Sequence, residues 1–460
     1  MRPVTAGAML ARQTPAGGGR FPRLLPPPPT HLAIPTSQSP CTGQSGDLAA
    51  HLGLHGPVPY RGSAGALIPE VRAAGLTGRG GAAFPVHRKL EAFAAARPGR
   101  AIVVGNGAEG EPASHKDEAL LFLAPHLILD GLQLAAEAVG AGRGVLYVRD
   151  DLRARTRLAD YLPERDASGL DRVPVEIVWS PRRFLAGEES ALASRVSGGP
   201  AVPRFTPPRV FTRGVDGRPT LVQNVETLAH LALIARYGPG WFRAMGTPDE
   251  PGTMLCTLRQ ASGSVDVAEA AIGTPLATLL DLSAAGAVLA GGYHGAWVPA
   301  AQAAQLTLSN AELRPAGAFT GAGVLAALPA DRCGLIESAR VARYLALESA
   351  GQCGPCLNGL PSIAAAMAEL ADEEGVERGG EVGGGWGPEP RALDNLSRWA
   401  GLVEGRGACH HPDGTVRFLR SALRVFGPEV RLHQQGRCSA ATDRPFLPVP
   451  AGPSTEADWI

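Results

Sequence analysis

The chain has 460 residues, and its 43 basic and 43 acidic side chains give a formal net charge of zero at pH 7. A neutral chain has no electrostatic attraction for nucleic acid, so a nucleic-acid partner is not expected. The most apolar stretch, residues 119–140, contains Pro125, His126, Asp130 and Glu137. Each of these is costly in a bilayer, so no direct membrane insertion is expected.

The seven cysteines give a further constraint. The N-terminus lacks the apolar core of a secretory signal, so a disulfide framework is not indicated. Cysteines in a chain that stays in a reducing cytosol indicate metal or redox chemistry instead. We therefore expect a cytoplasmic protein, either free or peripheral to a membrane complex.

The first half of the chain predicts a disordered tail and then alternating helices and strands. Residues 1–48 are rich in Pro, Gly, Ser and Thr, which bury too little apolar surface to offset ordering. The predicted elements after the tail are a helix from residue 67, a glycine-rich loop at 75–85, a short polar helix carrying Lys89, a strand at 101–104, a second glycine-rich loop at 105–112, a helix at 117–141, a strand at 144–148, a helix at 151–162 and a strand at 173–179. This alternation is typical of an α/β layer fold.

The second half predicts two further units. A third loop at 187–190 opens a helix, and Asn224 caps another helix with Glu226 in its first turn. Residues 252–325 read as short strands and glycine-rich turns with one helix near 275–282, which indicates a small α+β unit. Helical periodicity dominates residues 331–426, interrupted by an acidic, glycine-rich insert at 372–390, and the tail after Gly427 is predicted to be loop-like.

The glycine-rich loops predict an anion site. The segment from Gly78 to Gly81 (Gly-Arg-Gly-Gly) lets the backbone approach a ligand closely, and free amides at a helix start favour phosphate. A flavin or nucleotide fits, although a tight turn without ligand is the alternative. Glu188 and Glu189 at a helix start suit ribityl or ribose hydroxyls better than phosphates, and simple stabilisation of the helix end is their alternative.

Lysine usage points to the same region. The chain contains only two lysines, Lys89 and Lys116, and they fall close together in the sequence. An ammonium is a compact point charge, whereas a guanidinium is a broad planar fork, so the exceptions indicate a site. Chance placement is the alternative.

Five segments carry a resemblance to a known family: 75–89, 105–117, 184–192, 219–228 and 348–356. In order and spacing they resemble the NADH-binding flavoprotein subunit of respiratory complex I, called the F subunit in bacteria. That family includes flavin subunits of NAD-linked formate dehydrogenases and hydrogenases. The resemblance covers roughly residues 50–426, and the chain would be a divergent member.

The resemblance implies a fold and a domain order. The expected fold class is α/β: an N-terminal α/β FMN/NADH-binding domain, a small β-grasp-like (SLBB) domain and a C-terminal helical iron–sulfur domain. The implied boundaries are a disordered tail at 1–48, the FMN/NADH-binding domain at 49–250, the SLBB-like α+β domain at 251–330, the iron–sulfur domain at 331–426 and a loop-like tail at 427–460.

It also implies an activity. The chain would be an oxidoreductase subunit of the NADH dehydrogenase (quinone) type, in which FMN takes hydride from NADH or NADPH and no side chain acts as catalytic acid or base. Single electrons would pass to an iron–sulfur cluster and then to a small ferredoxin-like or thioredoxin-like iron–sulfur protein, within a larger redox complex.

The resemblance implies cofactor contacts at the positions of this chain that match the family's motifs. The expected phosphate and ring cradle of FMN is Gly78, Gly80, Gly81 and Lys89. Further implied cofactor contacts are Asn106, Glu188, Asn224 and Thr227 for the flavin, and Phe84, Glu111 and Glu189 for the nicotinamide nucleotide, with Glu109 and Gly187 in the same loops. Lys116 lies on a motif position without an assigned contact.

The cysteine motif departs from the family. The family has Cys-x2-Cys-x2-Cys and a fourth cysteine downstream, but Ala350 stands first here; Cys353 and Cys356 match the next two, and Cys409 best matches the fourth. Three thiolates leave open a [3Fe–4S] cluster, a [4Fe–4S] cluster with a substitute ligand, or no cluster. The substitutes considered are Ser349, His410, His411, Cys333 and Cys438. Cys256 and Cys333 are otherwise interpreted as buried small apolar residues, and His410 and His411 as surface residues.

The nucleotide side departs as well. The positions that differ from the family pattern are Ala108, Phe184, Thr206, Arg209 and Gln223. FMN binding is therefore better supported than tight NADH binding, and Arg209 leaves a 2′-phosphate, hence NADPH, open.

Two other functions stay open. One is a non-catalytic scaffold that kept the fold and lost its cluster or nucleotide. The other is thiol–disulfide exchange, because the segment from Cys353 to Cys356 (Cys-Gly-Pro-Cys) is also the thioredoxin motif. That motif should follow a buried strand, whereas a helical run at 340–348 precedes it here, so context argues against exchange.

Overall fold

The computed structural model describes residues 4–5, 24–25, 33–34, 47–94, 100–205, 208–371, 377–378, 391–442, 444–450 and 459. Most of the predicted tail at 1–48 lies outside the described residues. So do Thr206 and all of the insert at 372–390 apart from Glu377 and Arg378.

The first unit is built on a four-stranded parallel sheet. Near the start of the chain, β1 (Val4–Thr5) pairs antiparallel with β2 (Ala33–Ile34). The elements that follow are α1 (Leu48–His55), α2 (Ile68–Ala74), α3 (Val86–Ala94), β3 (Ile102–Gly107), α4 (Lys116–Leu123), α5 (Pro125–Val139), β4 (Gly144–Arg149), α6 (Leu152–Ser168), β5 (Val175–Ser180), α7 (Glu189–Val196), a 3₁₀ turn (Val215–Gly217), β6 (Thr220–Asn224) and α8 (Val225–Arg243). The sheet order is β5-β4-β3-β6, with all strands parallel. Parallel strands need both faces covered, and helices α5 and α8 on one side and α7 on the other supply that cover.

The helix predicted at 117–141 is two helices. Ala124 has φ −141° and ψ 51°, which ends α4, and Pro125 starts α5. The ring of a proline disfavours the α conformation in the preceding residue, so the break follows from Pro125. The axes of α4 and α5 differ by 96°. Within the described part of the chain no single helix is long and apolar enough to cross a membrane; α4 and α5 meet that test only as a bent pair.

A five-stranded mixed sheet forms the second unit. Its elements are β7 (Thr253–Arg259), β8 (Val265–Ala271), α9 (Leu276–Leu279), β9 (Ala285–Ala290), β10 (Ala296–Pro299), α10 (Ala300–Ala303), α11 (Asn310–Leu313) and β11 (Val324–Pro329). The order is β10-β9-β11-β7-β8, and only β11 and β7 are parallel. Alternate residues of β9 serve different cores: Val288 packs with Leu276 of α9, whereas Leu289 packs with Phe418 of the helical unit. The sheet is therefore buried on both faces.

The third unit is helical. It comprises α12 (Gly334–Leu347), a π turn (Pro355–Gly359), α13 (Leu360–Ala371), β12 (Glu377–Arg378), α14 (Arg391–Val403), α15 (His411–Val425), α16 (Gly427–His433) and β13 (Arg437–Cys438). The prediction of a loop-like tail after Gly427 is wrong at its start, because Gly427–His433 is a helix whose Val430 packs in the same core as α12 and α13. Seven residues are too few for periodicity to reveal. The α/β fold class with a helical C-terminal unit is confirmed.

Candidate functional site

The parallel sheet places a crevice where its strand order reverses. The chain runs from β3 to β4 and β5 on one side and then crosses back from β5 to β6 on the other side of β3. Open α/β sheets bind ligands at such a reversal of strand order. Asn106 at the end of β3 and Asn224 at the end of β6 are register partners. Nδ2 of Asn224 donates to the carbonyl of Asn106 at 3.2 Å. Two predicted flavin contacts thus lie side by side at the carboxyl ends of the strands.

The first glycine-rich loop folds onto the start of α8. The amide of Gly78 donates to the carbonyl of Phe84 at 2.9 Å, which closes the loop. The amide of Arg79 donates to Oγ1 of Thr227 at 2.9 Å. A Cβ at Gly80 would lie 3.3 Å from Cβ of Asn224, so a side chain there would push the loop away from β6.

The third loop meets the end of β3. Nδ2 of Asn106 donates to the carbonyl of Gly187 at 2.8 Å, and a Cβ at Gly187 would lie 2.7 Å from the carbonyl oxygen of Ala108. Glu188 is the N-cap of α7: its Oε2 accepts from the amides of Ser190 and Ala191 at 2.9 and 3.1 Å. In this structure Glu188 therefore stabilises the start of α7, which was the alternative interpretation of this residue from the sequence.

Several predicted flavin contacts thus also hold the crevice loops together. Asn224 caps α8, with Oδ1 accepting from the amide of Glu226 at 3.0 Å. Glu109 accepts from Oγ of Ser114 at 2.5 Å and from the amide of Glu118 at 3.1 Å, which fixes the start of α4. Their roles toward a cofactor stay predictions.

Lys89 and Glu189 pair at the mouth of the crevice. Nζ of Lys89 lies 2.6 Å from Oε1 of Glu189, and the two side chains are 30% and 48% exposed. The same Nζ donates to the carbonyl of Val222 in β6 at 3.3 Å. The ring of Phe84 is exposed in the same loop region. These predicted phosphate and nucleotide residues can be reached from solvent.

Lys116, to which the sequence assigned no contact, forms a buried ionic cluster beneath the crevice. Its Nζ lies 2.6 Å from Oδ1 of Asp117 and 2.9 Å from Oε2 of Glu226. Although burial opposes ionisation, Lys116 lowers the pKa of Glu226 to about 2. The guanidinium of Arg79, 3.9 Å from Glu226, adds a second cation. Since Glu226 follows the cap Asn224, the cluster fixes the start of α8.

Glu111 joins the crevice to the mixed sheet. Its Oε2 accepts from the amide of Tyr293 at 2.7 Å, and its Oε1 accepts from the amide of Ala113 at 3.2 Å. Burial raises the pKa of Glu111 to about 7 in spite of these two donors. The carboxyl group of Glu111 therefore changes charge near neutral pH.

The crevice fits a polar, anionic cofactor. Gln223 precedes Asn224 in β6 and is buried, and its Nε2 has no hydrogen-bond acceptor among the described residues. A buried amide without an acceptor costs free energy that a bound carbonyl or hydroxyl would relieve. Together with the ammonium of Lys89, this donor suits a molecule with phosphate and carbonyl oxygens, such as FMN.

The three predicted cysteine ligands come together. Cys353 and Cys356 are buried at the start of the π turn, and Cys409, just before α15, is partly exposed. Burial raises the pKa of Cys409 to about 12, and charge on Cys356, Glu188 and Cys353 adds to the rise. Metal binding would favour deprotonation of such thiols, so the donor set fits an iron–sulfur cluster. Glu348, shortly before Cys353, accepts from the amide of Phe184 in the crevice loop at 2.8 Å, which places the cysteine loop beside the crevice.

The proposed substitute ligands of the iron–sulfur cluster lie in different places in the structure. A hydrogen bond from Ser349 lowers the pKa of Cys356, against the larger raising effect of burial. Cys333 and Cys438 instead belong to a separate group with Glu429 and His433. Ser349 is therefore the candidate in contact with the cysteine pair.

Of the two histidines, one departs from expectation. His410 is exposed, as predicted. The prediction that His411 lies at the surface is wrong: it is 1% exposed, with Nδ1 2.9 Å from Nε2 of His294 and Nε2 2.8 Å from the carbonyl of Leu345. It begins α15 beneath the ring of Phe184, at a centroid distance of 5.7 Å, and neither sequence nor periodicity signals that contact.

Two family models match the chain: the Nuo51 FMN-binding domain over residues 71–233, and the NADH-ubiquinone oxidoreductase-F iron-sulfur binding region over residues 337–433. The chain is 29% identical over 390 residues to the F subunit of NADH-quinone oxidoreductase of Streptomyces coelicolor, covering 81% of this chain and 83% of the relative. It is 27% identical over 391 residues to the second F subunit of NADH-quinone oxidoreductase of Rhizobium meliloti, covering 81% and 90%.

A solved structure is similar over the same length of chain. The match is a chain of an NAD⁺-reducing [NiFe]-hydrogenase in the H2-reduced state, with TM-score 0.71 and 29% identity over 81% of this chain. The present chain spans 62% of that hydrogenase chain. The chain therefore matches the FMN-binding and iron-sulfur models of the NADH-binding flavoprotein subunits, and over most of its length it is similar to F subunits of NADH-quinone oxidoreductase.

Proposed function

We propose that the chain oxidises NADH through bound FMN and passes the electrons to an iron–sulfur cluster, as a peripheral subunit of a larger redox complex. One observation carries the proposal: the loop that leads through Phe184 to the crevice is held to the cysteine loop, because Oε2 of Glu348 accepts from the amide of Phe184 at 2.8 Å. A crevice and a cysteine group that are joined in this way can exchange electrons over a short distance. When bound, FMN supplies hydride acceptance and one-electron donation.

The crevice residues bind and orient the cofactor. Lys89 holds the phosphate of FMN, and in doing so it exchanges its ion pair with Glu189 for one with the phosphate. The backbone of Gly78, Gly80 and Gly81 supplies close approach without side chains. Gln223 donates its unused amide proton to a cofactor oxygen.

The nucleotide meets residues at the crevice mouth. The exposed ring of Phe84 offers an apolar face to the nicotinamide. Glu189, released from Lys89, is available to accept hydrogen bonds from ribose hydroxyls. NADH is the proposed donor, and Arg209, which is exposed, makes NADPH the comparison to test.

The electron acceptor is a small iron–sulfur protein of ferredoxin-like or thioredoxin-like kind. Cys409 is the partly exposed member of the cysteine group, so electrons leave the chain by its side. A docking partner there would bring its own cluster within reach of this chain's cluster.

Anaerobic stopped-flow spectroscopy tests the proposal. Protein loaded with FMN is mixed with NADH or NADPH, and flavin absorbance is followed. Bleaching by NADH on the timescale of turnover supports the proposal; protein that never retains FMN, or flavin that neither nucleotide bleaches, supports the non-catalytic scaffold. Loss of Lys89's charge-assisted contact in Lys89→Ala costs about 1.5–3 kcal/mol, which weakens FMN binding about tenfold or more.

A further inference from the structure

A second group of metal-binding side chains lies in the helical unit, apart from the three clustered cysteines. Potential ligand atoms of Cys333, Glu429, His433 and Cys438 all lie within 4.8 Å of one another, and all four residues are buried. Thiolates with an imidazole and a carboxylate are the donors that Zn²⁺ binds in proteins. Neither the flavin crevice nor the cysteine group beside it includes any of them.

The separations between these atoms match a tetrahedral zinc site. Sγ of Cys333 lies 3.5 Å from Nε2 of His433, and that nitrogen lies 3.4 Å from Oε1 of Glu429. Zinc bonds of about 2.3 Å to sulfur and about 2.0–2.1 Å to nitrogen and oxygen give tetrahedral edges of about 3.5 Å for sulfur–nitrogen and about 3.4 Å for nitrogen–oxygen. The ligand atoms already stand at the spacing that one ion requires.

Three different elements position the ligands. Cys333 is the N-cap of α12, and its sulfur accepts from the amide of Ile336 at 3.5 Å. Glu429 and His433 stand four residues apart on one face of α16. Cys438 lies in β13, which pairs with β12 at Glu377–Arg378. Convergence of residues from a helix start, a helix face and a strand is typical of a built site rather than of a surface cluster.

Groups around the site orient its carboxylate. The amide and Oγ of Ser439 donate to the two oxygens of Glu429 at 2.8 and 2.5 Å. Hydrogen bonds of this kind to metal ligands hold them in register for the ion.

We propose that Cys333, Glu429, His433 and Cys438 form a structural Zn²⁺ site. All four positions are filled by protein, which leaves none for water or substrate, so the ion would hold structure rather than catalyse. It would join Cys333 to His433 across 100 residues of sequence and fasten α16 and β13 to the start of α12. This site does not depend on the proposed NADH oxidation. Cys333 is buried in the core, as the sequence interpretation expected, and the proposal adds a ligand role to that position.

Elemental analysis of the full-length chain tests the site. Protein produced with zinc in the medium and purified without chelator should carry about one equivalent of Zn²⁺. The variants His433→Ala and Cys438→Ser should each lose most of it. Cys256→Ser, which removes a buried cysteine of β7 outside the group, should keep it. Iron is measured in the same samples, because Cys353→Ser should lower iron and leave zinc unchanged.

A second measurement covers variants that fail to fold. Wild-type chain exchanged into Co²⁺ should show the intense visible bands of tetrahedral cobalt with thiolate ligands, and competing Zn²⁺ should abolish them. Wild-type protein that carries no zinc and binds no cobalt in this way overturns the proposal. So does zinc that both ligand variants retain, or a Cys333–Cys438 disulfide found by mass spectrometry of the freshly purified chain.

Discussion

Nε of Arg183 lies 3.0 Å from Oε2 of Glu348, and both side chains are buried. The same oxygen accepts from the amide of Phe184 at 2.8 Å. Arg183 and Phe184 lead into the Gly187 loop of the crevice, and Glu348 caps the end of α12 shortly before Cys353. One carboxylate therefore fastens the crevice loop to the cysteine loop.

Removing that carboxylate should destabilise the chain. Glu348→Ala leaves the buried guanidinium of Arg183 without its carboxylate partner, and breaking a buried ion pair in this way costs about 3–5 kcal/mol. Urea denaturation measures the free energy of unfolding. Glu369→Ala, which removes an exposed carboxylate of α13, is the control and should change it little. Equal losses of unfolding free energy in the two variants would contradict a stabilising role for the ion pair between Arg183 and Glu348.

Substitutions of the two lysines should have different effects, one on the stability of the chain and the other on FMN binding. Lys116→Met removes the cation 2.9 Å from the buried Glu226, and should lower the free energy of unfolding by about 3–5 kcal/mol. Lys89→Met removes a partly exposed cation, and should leave stability within about 0.5 kcal/mol while weakening FMN binding. Thermal denaturation and flavin titration give the two readouts. A Lys89→Met chain that binds FMN normally would remove Lys89 from the cradle.

The lysine pair also shows how much could be predicted from the sequence. Their rarity pointed to one region, and both do lie around the crevice. Which of them is buried depends on contacts with β6 and α8, more than a hundred residues away, so spacing cannot distinguish them. The break at Pro125, by contrast, was available from the sequence, because a residue before proline disfavours the helix.

Other features could not be anticipated. The ion pair between Arg183 and Glu348 joins positions 165 residues apart. Burial of His411 depends on the ring of Phe184 and on His294 of the mixed sheet. The order of the motifs predicted the fold class and the crevice loops, because these are local features of the chain. Contacts between the three units depend on tertiary packing, which no local sequence pattern encodes.

Low pH should decrease the stability of the α/β unit, because the carboxylate of Asp130 becomes protonated. Although burial opposes ionisation, a hydrogen bond from His51 and the charges of His51, Arg165 and Arg236 lower the pKa of Asp130 from 3.8 to about 2. A carboxyl group with a depressed pKa stabilises the fold above its unfolded pKa, and this contribution is lost as pH falls from about 4 to about 2. The loss should be about 2 kcal/mol.

The variant Asp130→Asn tests that dependence. It should be less stable at pH 7, because Arg165 and Arg236 lose their buried partner, and its stability should fall less steeply between pH 4 and pH 2. Asp160→Asn, at an exposed carboxylate of α6, is the control and should follow the wild-type pH curve more closely. Parallel pH curves for wild type and Asp130→Asn would contradict the assignment.

Ala350 should limit the iron content. A cluster held by three cysteines leaves one iron to a weaker ligand, so wild-type protein should hold substoichiometric, oxygen-sensitive iron. Ala350→Cys should raise the iron content towards about four per chain and stabilise the reduced paramagnetic signal. Ser349→Ala is the companion variant, because Ser349 contacts Cys356. A full, air-stable cluster in wild type that Ala350→Cys leaves unchanged would show that a substitute ligand is already in place, and loss of iron in Ser349→Ala would identify it.

The proposed function requires that NADH deliver hydride at the crevice and that the two electrons then pass one at a time to an iron–sulfur cluster at the cysteine group. Electron paramagnetic resonance of the anaerobic chain, loaded with FMN and reconstituted with iron and sulfide, tests it most directly after addition of less than one equivalent of NADH. We expect an iron–sulfur signal that grows with added NADH and is absent from Cys356→Ser protein treated identically. A flavin that NADH reduces while no iron–sulfur signal develops, in protein shown to contain a dithionite-reducible cluster, would contradict it.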